Sequence, residues 1–166
     1  MNIAENVAIV RSRIAEAALA AGRRPEDIRL VAATKMNDAA RVQQAIKAGV
    51  EICGENRVQE MLEKNAQAAY AGARLHFIGH LQKNKVKQVV GTAALIESVD
   101  SEELMRLIDR CAAVKGLCQD ILLEVNIGGE EAKSGFAPES LEQAAEEAKK
   151  CANVRVRGLM CIPPVA

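Results

Sequence analysis

Aromatic residues are almost missing from this 166-residue chain, which has one tyrosine, two phenylalanines and no tryptophan. Tyr70, Phe77 and Phe136 are too few to build a platform on which nucleic-acid bases stack. An excess of charge is missing too, since 22 basic residues balance 22 acidic ones. Non-specific nucleic-acid or anionic-membrane surfaces need surplus lysine and arginine, so neither partner is expected. No apolar run approaches the roughly 20 residues that span a bilayer. The opening MNIAENVAIV carries Glu5 early and no basic region, so no secretory signal is expected. A soluble, cytoplasmic protein is the expectation.

Several chemical signatures are absent as well. There is no P-loop, no serine nucleophile elbow, no glycine-rich dinucleotide turn and no Cys-x-x-Cys pair. The five cysteines (53, 111, 118, 151 and 161) fall inside apolar patterns and read as reduced core residues. His76 and His80 have the HxxxH spacing that makes a metal site on a helix. In LHFIGH they lie along a strand, where four residues span roughly 13 Å, so they cannot share an ion. No metal site is expected.

What is present is a regular alternation. A helix carries Ile3, Val7, Val10 and Ile14 on one face, with Asn2 and Glu5 forming a capping box and Gly22 a stop. Strand IRLVAAT (28–34) precedes a helix from about 38 to 48. A strand near 50–54 leads to a helix over 57–70, and strand 74–79 to a helix over roughly 84–90. Strand 93–98 precedes a helix over 102–115, closed by Gly116. Strand 120–127 is followed by a helix opening at Pro138, and the chain finishes with strand 154–162. Strand–helix units with apolar strands mean a parallel sheet covered by helices. An open doubly wound sheet competes with a (β/α)8 barrel. The turn after the first strand, TKMND, lacks the glycines of a dinucleotide site, and the rhythm fits a barrel better. A full barrel takes about 250 residues, so this one is incomplete at about six strands.

In parallel α/β folds the chemistry lies at the C-terminal ends of the strands. Those ends carry Lys35; Glu55 and Asn56; His80, Gln82 and Asn84; Ser98 and Asp100; Asn126; and Met160. Lys35 stands apart because it ends an apolar run, LVAATK. Lodged against Val31 and Ala33, it would be partly desolvated, which favours the neutral amine that attacks aldehydes. The alternative is a lysine that only snorkels to water.

LVAATK, GENRVQE (54–60), HFIGHLQKNKVK (76–87), SVDS (98–101), VNIGGEEAKSG (126–135) and GLMCIPP (158–164) together resemble the pyridoxal phosphate homeostasis proteins. These are single-domain relatives of the alanine racemase N-terminal barrel. The resemblance runs from about residue 3 to residue 164. It implies a (β/α)8, TIM-type barrel with pyridoxal 5′-phosphate (PLP) held as a Schiff base on Lys35. Asn56, His80 and Met160 match motif positions near the cofactor ring. It implies a protein that binds, buffers and delivers PLP, with PLP-dependent apoenzymes as partners and no robust catalysis of its own. The family continues past GLMCIPP with the strands that hold the cofactor phosphate. Residues 1–166 are therefore expected to be the N-terminal two-thirds of one barrel domain. Full-length relatives are expected to be monomers, whereas a six-strand piece would pair through its bare sheet edges. The competing function is a fold-type-III PLP enzyme such as an amino-acid racemase. That chemistry needs an acid/base on each face of the substrate, and Tyr70, the only tyrosine, is expected at the end of a surface helix.

Overall fold

The structure is a computed structural model that describes residues 2–131 and 133–165. The chain divides into two compact units, residues 1–55 with 59–74, and residues 56–58 with 75–166.

The first unit opens on α1 (Ile3–Ala20), and its capping box forms as the sequence predicts. Asn2 Oδ1 accepts from the Glu5 amide at 2.8 Å, and Glu5 Oε2 accepts from the Asn2 amide at 3.0 Å. Its apolar face is shallower than expected: Val10 is 41% exposed and Ala18 is the buried residue. β1 (Ala32–Ala33) pairs in parallel with β2 (Ile52–Glu55) through Ala32 with Cys53 and Ala33 with Gly54. The expected strand 28–34 shrinks to these two residues, because only they find ladder partners. Between the strands runs α2 (Ala39–Lys47), whose N-cap Asp38 accepts from the Arg41 amide. After β2 comes α3 (Val58–Ala66), shorter than the expected 57–70. Ala68 adopts a left-handed φ of 54°, which ends the helix and turns Ala69 and Tyr70 inward. The Gln43 side chain on α2 fixes that turn by donating to the carbonyls of Ala69 and Ala71. The Arg74 amide then donates to Glu51 O beside the start of β2.

The second unit continues the alternation with β3 (Arg74–Phe77), whose opening Arg74 belongs to the first unit, α4 (Val86–Val89) and β4 (Leu95–Val99). It goes on through α5 (Glu102–Lys115), β5 (Gln119–Glu124), α6 (Leu141–Lys149) and β6 (Val154–Met160). β3 pairs with β4, β4 with β5 and β5 with β6, all in parallel. The β3–β4 pairing excludes the dinucleotide strand order 3-2-1-4-5-6, in which those two strands are not neighbours. Each of β1 to β5 is followed by a helix, and the consecutive parallel strands run in the order of a (β/α)8 barrel, here with six strands.

α5 has the boundaries its sequence predicts, with Ser101 accepting from the Leu104 amide and Gly116 left-handed at φ 67°. Its inner face buries Leu104, Met105, Ile108 and Ala112. Phe77, Ile96 and Ile121 on the strands are fully buried. Among the described residues β6 pairs on one side only, and Leu159 is 59% exposed.

Because Phe77 is fully buried in the second unit, Phe77→Ala is expected to cost about 3–5 kcal/mol, read from the urea midpoint at unchanged m-value.

Candidate functional site

In the first unit, β1 ends at Ala33 and the chain turns sharply at Met36, with φ 62°. Lys35 lies between these points and is exposed, not lodged in the core mouth as its sequence setting suggests. What is buried is the frame around it. Thr34 donates its amide to Gly54 O at 3.0 Å and its hydroxyl to Glu55 Oε1 at 2.6 Å. The Lys64 ammonium, from α3, donates to Thr34 O at 2.7 Å, the carbonyl just before Lys35. It also meets Glu55 Oε1 at 2.7 Å and Glu60 Oε1 at 2.8 Å. Glu60 Oε1 in turn accepts from the Met36 amide at 2.5 Å. One ammonium and its two carboxylates thus hold the peptide groups on both sides of Lys35.

Tyr70 completes this frame. It is not on a helix surface, as its sequence position suggests, but buried past the left-handed Ala68, where its hydroxyl donates to Glu55 Oε1 at 2.8 Å. Burial, and then the Glu55 carboxylate, push the Tyr70 hydroxyl well above its ordinary value of 10. Burial alone would lower the Lys64 ammonium, yet its bonds to Glu55 and Glu60 outweigh that and hold it above the usual 10.5. Burial pushes the Cys53 thiol up to about 11, so it stays a thiol at neutral pH. Glu55 Oε2 has no hydrogen-bond partner although the residue is fully buried.

In the second unit a cleft of about 280 Å³ opens at the C-terminal ends of the strands. Asn56, Gly79, His80, Glu124, Asn126 and Lys133 are among the residues that line it. Gly79 is required by close approach, since a Cβ there would run into the Asn56 carbonyl and Cα. Asn126 folds the following loop back over the strand end, its side-chain amide donating to Glu130 O at 2.7 Å and Lys133 O at 3.2 Å. The Phe136 amide then returns to Glu124 O at 2.7 Å. Asn126 is therefore the loop's anchor. His80 Nδ1 lies 3.4 Å from Asp100 Oδ2, and its ring is 62% exposed. Met160 is half-buried and sits opposite Glu124 in the β5–β6 ladder, its carbonyl accepting from the Val125 amide at 2.8 Å. Of the expected site residues, Asn56 and His80 share the cleft, Met160 adjoins Glu124 through the backbone, and Lys35 belongs to the first unit.

Glu124 was hidden in an apolar run, ILLEVNI, by the pattern that marks Lys35: a charge at the end of a buried strand. It is 7% exposed and lines the cleft. Burial raises its carboxyl above the ordinary 4.5; Asp100 adds to the rise and His80 opposes it. Lys64 and Tyr70 had no comparable signal, because each looks like a residue of an ordinary helix surface.

The histidines do part company, His76 Nδ1 meeting Glu97 Oε1 at 2.7 Å and His80 meeting Asp100. Among the described residues no group of three or more His, Cys, Asp or Glu could hold a metal ion. All five cysteines are free. Cys53 and Cys151 are buried as expected, but Cys118 and Cys161 are exposed, since one follows the end of α5 and the other the end of β6.

The chain matches the family described as alanine racemase, N-terminal domain, over residues 2–166. It belongs to that family. More narrowly, it is a member of the pyridoxal phosphate homeostasis proteins within it. The relative from Aquifex aeolicus is 40% identical over 164 residues, covering 99% of this chain and 72% of its own length. The one from Pseudomonas aeruginosa is 43% identical over 163 residues, covering 97% and 70%. Among solved structures, PipY of Synechococcus elongatus with PLP bound superposes with a TM-score of 0.84 at 32% identity, covering 99% of this chain and 72% of PipY.

Two outcomes follow from the charges. Lys64→Met leaves Glu55 buried without its cation and is expected to cost about 3–5 kcal/mol in urea unfolding. Glu124 binds its proton more tightly folded than unfolded, so the stability it contributes is complete below pH 4.5 and is lost as pH rises through its raised value. Glu124→Gln should flatten that part of a thermal-unfolding pH series.

Proposed function

We propose that this chain is a non-catalytic carrier of PLP, acting in intracellular PLP homeostasis and holding the cofactor as a Schiff base on Lys35. The observation that carries the reading is an exposed primary amine on a backbone immobilised by buried charges. The residues present suit the group: an aldehyde needs a reachable amine, and Lys35 is exposed, with Lys64 and Glu60 holding its flanking peptide groups. Asn56 lines the second-unit cleft at a family position near the ring, and the lack of a Cβ at Gly79 leaves room for the Asn56 backbone. By family position His80 and Met160 would flank the ring. PLP itself supplies an aldehyde and an electron-withdrawing ring.

Support for a carrier over a racemase-type enzyme comes from Tyr70. Its hydroxyl is buried and committed to Glu55, which removes the chain's only tyrosine as an acid/base. The names of the relatives, homeostasis proteins, point the same way. On this reading residues 1–166 act as one PLP-binding domain in the cytoplasm and pass PLP to apoenzymes. Among the described residues no helix is long and apolar enough to cross a membrane. The one-sided β6, with Leu159 exposed, supports pairing of this 166-residue chain with a second copy. Light scattering that gives a monomer across a wide concentration range rejects the pairing.

Borohydride reduction after incubation with PLP, followed by peptide mapping, tests the carrier reading. Label is expected on Lys35 and lost in Lys35→Ala. Label spread over the ten lysines according to exposure would sink it.

A further inference from the structure

Lys35 is held more firmly than an exposed residue needs to be. Two planar peptide groups flank its Cα, and fixing both fixes the direction in which the side chain leaves the backbone. The first is held through Thr34 O, which accepts from Lys64 Nζ at 2.7 Å and from the Asn37 amide at 3.2 Å. The second is held from both ends. Asn37 Nδ2 donates to Lys35 O at 3.0 Å, and the Met36 amide donates to Glu60 Oε1 at 2.5 Å. All of these groups belong to the first unit.

Backbone strain sits at the same place. Met36 is left-handed at φ 62°, a conformation that is costly for a residue with a bulky side chain and that glycine adopts freely. Met36 is also 89% exposed, so little packing offsets that cost. A turn kept strained in this way is kept for the course of its backbone. Charge balance points to Glu60 as the residue that keeps it. Glu55 alone balances the Lys64 ammonium, so neutralising that charge does not account for a second carboxylate. Besides Lys64, Glu60 reaches the Met36 amide. We propose that Glu60, anchored by Lys64, is a positioning residue for Lys35, holding the turn so that the amine is aimed at an aldehyde-bearing ligand seated on the protein. This rests on the PLP-carrier reading and adds to it the residue that orients the amine. Glu60 acts through the peptide group after Lys35 and does not touch the ligand. Without that hold the amine stays reachable but is no longer aimed, so capture of a seated ligand slows.

Glu60→Ala removes the hold, whereas Glu60→Gln keeps a side-chain oxygen that can accept from the Met36 amide. Both are compared with the unaltered chain, below the onset of thermal unfolding, in two reactions quenched with borohydride and peptide-mapped. With PLP, Glu60→Ala is expected to label Lys35 about tenfold more slowly or worse, while the other lysines keep their rates. With formaldehyde, which needs no seat on the protein, Lys35 should be methylated at the same rate in both chains. Glu60→Gln should recover most of the PLP rate. If Glu60→Ala fails to fold, it is combined with Met36→Gly, because glycine takes the left-handed turn without strain, and the same slowing with PLP is expected. An unchanged PLP rate at Lys35 overturns the proposal even if Tm falls, since that is the mark of a structural brace. A loss shared equally by formaldehyde, or a Glu60→Gln chain as slow as Glu60→Ala, overturns it too. Label scattered over the lysines of the unaltered chain rejects the carrier reading and this inference with it, whereas label on Lys35 at equal rates in every chain rejects this inference alone.

Discussion

Lys64 is only 5% exposed, and a charge so placed is tolerable only when its partners enclose it. Glu55, Glu60 and Thr34 O do this at 2.7 to 2.8 Å, and each of those partners has a second task. Glu55 Oε1 collects the Thr34 and Tyr70 hydroxyls, tying the end of β1 and the turn after α3 to the end of β2. Glu60 holds the Met36 amide beyond Lys35. The turn that displays Lys35 is therefore fastened to a buried charge cluster. An exposed nucleophile on a fixed backbone suits a reaction with an aldehyde, because little ordering of the chain is left to be done when the ligand arrives.

The second unit solves a different problem at its strand ends. Its loop after β5 folds back through Asn126 and the Phe136 amide, and Gly135, at φ 126°, allows this because a Cβ would collide with the Asn126 amide. The loop brings Lys133 to the cleft that Asn56 and His80 also line. Glu124 faces that space with its charge unmatched. The two strand-end charges are thus opposite in design. Lys35 is exposed on a satisfied backbone, whereas Glu124 is mostly buried and opens only onto the cleft.

Much of this was legible beforehand, for reasons that differ by element. The α1 capping box and the α5 boundaries at Ser101 and Gly116 are local devices, decided within four residues, and they form as read. Strand–helix alternation announced the parallel fold. Strand lengths were misjudged where pairing, not sequence, decides them, as in the contraction of 28–34 to Ala32–Ala33. The helix expected to reach residue 70 stops at Ala66, because Gln43, distant in sequence, holds the left-handed turn at Ala68.

The sequence by itself determined the order of strands and helices, the caps, and the position of a lysine at the end of an apolar strand. These follow from periodicity and from side chains that act on their own neighbours. Tertiary structure alone decided that Lys64 is a buried tether and not a surface charge, that Tyr70 is spent on Glu55, and that Glu124 is left without a cation. Each depends on which groups long-range folding brings within hydrogen-bond distance, and on how much water it leaves between them.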